Sequence, residues 1–358
     1  MMSLAQIGRT AASLLLLLVG GVSYAHSEQS GPVAGLAVDS ALTRYHATPH
    51  VSGRFKVQGS DTMHALMRRV VLEFQSRQPN VAIDLRSGGS TKAISEFIEP
   101  PQRGQIAVKE ERATQTLLVS SSRELSDSEI KKFKSHRGYE PLAIPIAVDA
   151  VALYVHKDNP LPGLTLDQVD AIFSSTHHRG YRKDLTTWGN LGLADGWEQA
   201  TIHLYGRDRK SGTRAFFQEH VLAGGDFKPA LREEPGAASV ILAMSRDQLG
   251  IGYSGIGLQA SSVRIVPLAE SDGMPLITPS AATVANQTYP LRRFLYLYVD
   301  KTPDAPLPQA VQEFLAFVKS REGQEAVVRA GFYPLPMDQM EKFSVALGSV
   351  SPSGVSSK

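Results

Sequence analysis

Three places in this sequence share one pattern: a short aliphatic or β-branched run, a loop rich in Ser, Thr and Gly, then apolar residues at helical spacing. At the first, Phe55-Lys56-Val57 leads through Gly59-Ser60-Asp61-Thr62 into Met63, Leu66, Met67, Val70, Val71 and Phe74, and Pro79 ends the helix. At the second, Val81-Ala82-Ile83-Asp84-Leu85 alternates like a strand and breaks at Ser87-Gly88-Gly89-Ser90. A helix then runs through Ala93, Ile94, Phe97 and Ile98. The third passes from Ile202-His203-Leu204-Tyr205 through Gly206-Arg207-Asp208-Arg209-Lys210-Ser211-Gly212-Thr213 to Ala215, Phe216, Phe217 and His220-Val221-Leu222. Strands that alternate with amphipathic helices form a largely parallel sheet, so the fold class is α/β. At 358 residues the chain has material for two such domains.

The other elements read as structural. Ser126-Asp127-Ser128-Glu129 has capping-box spacing before Ile130 and Phe133. Residues 310–328 carry a packed helical face, and the two apolar strands at 143–155 and 294–299 read as ties between the domains. Residues 26–52 have no sustained period and are expected to be a loosely held leader with a helical fragment at 34–45. Residues 341–358 form a Ser-rich tail.

Residues 1–25 have the pattern of an export signal. Arg9 precedes an apolar run over 11–19 with five consecutive leucines, and the small-residue pattern Ser23-Tyr24-Ala25 follows. That run is about half the 20 residues a spanning helix needs, so cleavage after Ala25 and a periplasmic location are expected.

Composition removes several function classes. Lys and Arg total 37 against 35 Asp and Glu, and a net charge of +2 gives no field for nucleic acid. With no cysteine there are no disulfides, thiolate metal sites or thiol nucleophiles. Gly252-Tyr253-Ser254-Gly255 lacks the nucleophile-elbow spacing, and no Gly-Lys-Ser or Gly-Lys-Thr phosphate loop is present. His177 and His178 are adjacent, which splays their rings, so neither a metal nor another cofactor is expected. The chain therefore reads as a binder, not an enzyme. A phosphohydrolase with Ser211 as nucleophile is the minor alternative.

A helix start leaves its first N–H groups unpaired and carries partial positive charge, so it favours an anion. Any one of the three loops alone is explained by helix capping. Three together, with an Arg-x-x-x-Ser-Gly-Thr element among them, point to an oxyanion site in which the Arg207 guanidinium matches two oxygens of the ligand.

The segments Gly59-Ser60-Asp61-Thr62-Met63, Gly88-Gly89-Ser90, Asp149-Ala150-Val151-Ala152, Asp158-Asn159-Pro160, Gly206-Arg207 with Ser211-Gly212-Thr213, Gly250-Ile251-Gly252-Tyr253 and Tyr289-Pro290-Leu291 follow in order. Together they resemble the periplasmic phosphate-binding proteins of ABC-type phosphate transporters. The resemblance implies a type II, two-lobe periplasmic-binding-protein-like fold with a ligand cleft between lobes joined by crossing strands. Lobe I would comprise 53–156 plus 263–340 and lobe II 157–262. It implies inorganic phosphate as ligand, no cofactor, an ABC-type membrane permease as partner, and a monomer. Carried over by motif, Thr62 and Met63 would offer backbone or hydroxyl donors from the first loop, Ser87 or Ser90 from the second, and Arg207, Ser211, Gly212 and Thr213 from the third; Asp61, Thr91, Ser122 and Arg123 beside these motifs are further candidate ligand contacts.

One departure bears on specificity. Better-known members of the family place an aspartate after the strand that follows the second helix, where it accepts the proton of hydrogen phosphate and rejects sulfate. This chain has Ser120-Ser121-Ser122-Arg123 there. Asp61 is the candidate to take over the acceptor role, or Arg123 makes the pocket more cationic and favours a dianion. Another tetrahedral oxyanion, sulfate or vanadate, is the alternative ligand. The charged stretch 101–117 has no functional reading.

Overall fold

The computed structural model describes residues 36–99 and 116–340. The expected signal peptide, most of the 101–117 stretch and the 341–358 tail lie outside the described residues.

In chain order the first elements are β1 (Gly53–Gly59), α1 (His64–Gln75), β2 (Val81–Ser87), α2 (Ser90–Ile98), β3 (Thr116–Ser121), α3 (Asp127–Arg137) and β4 (Leu142–His156). Next come β5 (Leu164–Thr165), α4 (Leu166–Phe173), β6 (His203–Arg207), α5 (Gly212–His220), β7 (Arg232–Glu234), α6 (Ala237–Met244), β8 (Gly250–Gly255) and β9 (Val263–Val266). The last are β10 (Leu268–Ala269), α7 (Ala281–Ala285), β11 (Arg292–Val299), α8 (Gln309–Lys319) and α9 (Arg321–Arg329). The main sheet runs β2-β1-β3-β11-β4-β8-β6-β7, with β9 also on β4.

Parallel pairing joins β1 to β2 and β3 in one half and β6 to β7 and β8 in the other. β4 is the long strand that belongs to both. Residues up to Ala150 pair antiparallel with β11, and from Val151 onward the strand pairs with β8 and, through Leu153–His156, with β9. Of the two expected ties, β4 alone changes partners, because β11 pairs with β3 on its other side. The change falls at 150/151 rather than at the expected boundary of 156, and β9 stays with the second half although it begins at 263.

The helices form where apolar residues recur at helical spacing. α1 buries Leu66, Met67, Val70, Val71 and Phe74, and α2 buries Ala93, Ile94, Phe97 and Ile98. The capping box before α3 is present in full: Ser126 Oγ accepts from the Glu129 amide and the Glu129 carboxylate accepts from the Ser126 amide. The single helix expected over 310–328 is two helices. The chain turns at Ser320, which leaves the helical region and caps α9 by accepting from the Gly323 amide.

The described part of the leader corrects the expectation of a loose segment. Residues 36–52 contain no helix, yet Leu42 and Val51 are buried in the core. The Tyr45 ring packs edge-on against Phe317 at 5.3 Å, and its hydroxyl donates to Glu313 Oε2 at 2.7 Å. Its amide donates to Glu322, while Thr43 accepts from the Arg321 amide. Isolated apolar anchors, not periodicity, hold this segment. No described helix is long and apolar enough to cross a membrane.

Candidate functional site

Parallel register brings the expected loops to one edge. Gly59 is paired with Ser87 on one side and Ser120 on the other, so β1, β2 and β3 end together and release their loops side by side. Ligand crevices in α/β sheets lie beyond such carboxyl ends. The loop after β6 meets this edge from the other half of the sheet, and the Thr91 amide donates to the Lys210 carbonyl at 3.0 Å. Gly89 has φ +92°, and a Cβ there would stand 2.2 Å from that same carbonyl, so the approach needs glycine.

Arg207, at the end of β6, is fully buried. Its Nη1 donates to Thr62 Oγ1 at 3.4 Å, and its Nη2 donates to Asp61 Oδ2 and to the Pro235 carbonyl, each at 3.3 Å. Its Nε is buried with no hydrogen-bond partner among the described residues. Burial pushes the guanidinium pKa down, and Asp61 and then Asp208 pull it back up. An arginine remains charged under such pulls. A buried cation with a donor to spare is costly unless an anion meets it.

Around it stand neutral hydroxyls. Thr62 Oγ1 and Thr213 Oγ1 are 2.9 Å apart, and both residues are buried. Ser90 Oγ lies 3.3 Å from Ser122 Oγ and accepts from the Ser122 amide at 3.1 Å. Gly212 begins α5 against this pair: a Cβ there would meet Ser90 Oγ at 2.5 Å and Ser122 Oγ at 2.9 Å. Thr91 Oγ1 is buried without a partner among the described residues. Thr62, Ser90, Ser122, Arg207, Gly212 and Thr213 therefore converge, with the starts of α1, α2 and α5 around them.

Asp61 joins the cluster in an unexpected way. It does not cap α1 through its side chain; its carboxylate accepts from the Gly88 amide at 3.1 Å and from Arg207, stitching the first two loops to the third. Ser211 is the cap of α5, accepting from the amides of Thr213 and Arg214. Among the described residues no histidine or carboxylate hydrogen-bonds to Ser211 Oγ, the arrangement an activated nucleophile needs.

Met63, expected to offer its backbone, buries its side chain in the apolar core, and its amide donates to Ser60 Oγ at 3.4 Å. Two expected side chains stand apart. Ser87 is exposed at the end of β2, whereas Ser90 is buried beside Ser122. Arg123 is turned into a fork-to-fork pair with Glu129, both bonds 2.7 Å, because that carboxylate sits at the start of α3 beside it. Its charge is spent on the cap, not on the cleft.

Two residues beside the cluster were not anticipated from the sequence. Asp149 on β4 and Arg293 on β11 are directly opposite in the ladder and both are buried. Arg293 Nε and Nη2 donate to Asp149 Oδ2 at 3.0 and 2.7 Å, and Nη2 also donates to Thr213 Oγ1 at 2.9 Å. Burial pushes the Asp149 pKa up and the Arg293 pKa down, each opposed by the other's charge. The available signal was an aspartate interrupting the apolar run 143–155, which requires a buried partner. No group of three or more His, Asp or Glu side chains is arranged to hold a metal among the described residues.

The arrangement suits one buried oxyanion: hydroxyl groups from separate loops beside the buried Arg207 guanidinium. Comparison with known proteins agrees with this architecture. Residues 45–322 match the family model described as PBP superfamily domain. The chain is 41% identical over 331 residues to the phosphate-binding protein PstS of Pseudomonas aeruginosa, covering 92% of this chain and 98% of that protein. The protein SphX of Synechococcus elongatus is 25% identical, with 85% and 84% covered. Among solved structures, a putative phosphate ABC transporter substrate-binding protein with bound phosphate from Clostridium perfringens aligns with TM-score 0.62 at 24% identity, covering 79% of this chain and all, 100%, of that one. An ABC-type phosphate transport receptor from Vibrio cholerae aligns at 0.57 and 21% identity, over 79% and 100%. These structures support the two-lobe fold, and the match over most of its length places this chain in the PBP superfamily, in the family of the PstS phosphate-binding proteins.

Proposed function

We propose that the mature protein captures inorganic phosphate in the periplasm, encloses it between its two lobes and delivers it to an ABC-type permease without chemical change. The observation that carries this reading is the Arg207 guanidinium, buried with Nε unpartnered among the described residues and bonded to Thr62, whose hydroxyl meets that of Thr213 at the start of α5. Neutral donors fit the oxygens of a tetrahedral anion, and the Arg207 guanidinium, although paired with Asp61, keeps Nε as a charged donor for it. The names of the 41% identical relative and of the aligned structures support phosphate as the ligand and ABC transport as the setting. The signal-peptide pattern at 1–25 supports the compartment.

Of the expected ligand contacts, this reading keeps Thr62, Ser90, Thr91, Ser122, Arg207, Gly212 and Thr213, with Asp61, 3.3 Å from the guanidinium, as the candidate acceptor of the phosphate proton. Calorimetry with inorganic phosphate tests the proposal. Wild type is expected to bind, and Arg207→Met to lose more than about a hundredfold, since hydrogen bonds to charged groups contribute about 1.5–3 kcal/mol each and this residue offers several. A variant that binds phosphate as wild type does would overturn the assignment. Melting shifts with phosphate, arsenate, vanadate and sulfate rank the oxyanions, because a tighter ligand of the native state raises the melting temperature more.

A further inference from the structure

We propose that Arg293, anchored by Asp149, is a positioning residue of the anion site: it fixes the Thr213 hydroxyl so that its proton is presented to the ligand. The inference rests on the phosphate-binding reading and adds a residue pair to it.

The direction of the network follows from what each group can do. A guanidinium has only donors, so Thr213 Oγ1 must accept from Arg293 Nη2, at 2.9 Å, and its own proton must point elsewhere. The same rule applies across the cleft, where Thr62 Oγ1 accepts from Arg207 Nη1 at 3.4 Å. Each hydroxyl oxygen thus faces an arginine, and the two protons lie between or beyond oxygens 2.9 Å apart. One proton suffices for that contact, which leaves the other free, and an anion entering between the two threonines would receive both.

Arg293 is itself held from several sides. Asp149 Oδ2 takes two of its donors, and the guanidinium lies over the Phe216 ring of α5 at 5.2 Å. Asp149 Oδ1 in turn accepts from the Ile256 amide at 3.2 Å, just past β8. A Cβ on Gly255 would stand 2.9 Å from Asp149 Oδ2 and 2.8 Å from Thr62 Cγ2, so the pair and the ligand loop share one packed space. The pair therefore sits where β4 changes partners and reaches the first turn of α5. Because Asp149 neutralises Arg293, the pair adds little net charge to the site; its effect passes through the orientation of Thr213.

A double-mutant cycle separates this role from a structural one. The neutral replacement Asp149→Asn with Arg293→Met removes both charges together, and the asparagine oxygen can still accept from the Ile256 amide. Phosphate affinity is measured by calorimetry in the Thr213 and Thr213→Val backgrounds, with folding checked by circular dichroism and melting. The expected result is roughly tenfold weaker phosphate binding on neutral replacement when Thr213 is present, and less than about a twofold change in the Thr213→Val background. Equal losses in both backgrounds, or no loss with Thr213 present, would overturn the positioning role while leaving the phosphate reading intact. No binding by wild type would overturn that reading and the role with it. Should the neutral replacement fail to fold, Arg293→Lys in the two backgrounds gives the same readout, because a single ammonium cannot bridge Asp149 and Thr213 as the fork does.

Discussion

The hydroxyl oxygens of Thr62 and Thr213 stand 2.9 Å apart although 151 residues separate them in the chain. The first belongs to the loop after β1 and the second to the first turn of α5, so this contact closes one half of the sheet on the other. In the proposed function, an anion exchanges this mutual hydrogen bond for two to the ligand. Thr62→Val and Thr213→Val should each weaken phosphate binding roughly ten- to a hundredfold, the equivalent of one hydrogen bond to a charged group. Each should also lower stability by about 1.5–3 kcal/mol, because each hydroxyl accepts from a buried guanidinium that valine leaves without that acceptor. Calorimetry and chemical denaturation check the two effects: an affinity loss below about twofold in both variants would remove these hydroxyls from the site.

Gly212 offers a steric test of closure. A Cβ at this position would meet Ser90 Oγ at 2.5 Å and Ser122 Oγ at 2.9 Å. Gly212→Ala suits the helix start of α5 but forces the two halves apart, and overpacking of this kind costs about 1–3 kcal/mol. The chain should fold, bind phosphate at least about tenfold more weakly, and show in X-ray scattering a smaller contraction with phosphate than wild type. Contraction equal to that of wild type would mean that Ser90 and Ser122 yield freely.

The local pattern of this chain was legible because strands and helices announce themselves by period. β1, β2, α1, α2 and α5 all fall where the apolar spacing puts them, and the loops between them carry most of the clustered residues. What spacing cannot give is the direction of a side chain. Arg123 follows β3 and Arg207 ends β6, yet one is drawn to Glu129 by a neighbouring helix start and the other is buried against Thr62 and Asp61. Asp149 and Arg293 are separated by 144 residues, and only the antiparallel register of β4 and β11 makes them partners. The break at Ser320 was missed because a polar residue that caps a helix also passes unnoticed on the polar face of a longer one.

Acid should weaken the cap of α3. Burial works to raise the Glu129 pKa, but the bonds from Arg123 and Ser126 overcome it and hold the carboxyl below the usual range. A carboxylate whose folded pKa is depressed contributes stability that is present above its unfolded value, about 4.3, and is lost as pH falls through the folded value. The melting temperature of wild type should therefore fall below about pH 4.3 more steeply than that of Glu129→Gln, and the two curves should converge in acid. Parallel curves would show that the pair with Arg123 contributes nothing to the acid limb.

The leader gives the last test, because its attachment is carried by so few residues. Tyr45 places its ring against Phe74 at 6.3 Å and Phe317 at 5.3 Å, and its hydroxyl bonds Glu313. Burial, with the carboxylate of Glu313 behind it, pushes the phenol pKa up to about 12 against the pull of Gln78, so the hydroxyl stays a donor throughout the physiological range. Tyr45→Phe removes the donor to Glu313 and the acceptor for Gln78 Nε2, which keeps its bond to the Thr48 carbonyl, and should cost about 1–2 kcal/mol. Tyr45→Ala removes the ring contacts as well and should cost about 2–3 kcal/mol, somewhat less than a fully buried aromatic. Neither should change phosphate affinity by more than about twofold, since the ring packs among α1, α8 and the leader, away from the ends of the strands. If proteolysis cleaves the leader of Tyr45→Ala no faster than that of wild type, the segment is held by Val51 and the Thr43 backbone instead, and the aromatic anchor is dispensable.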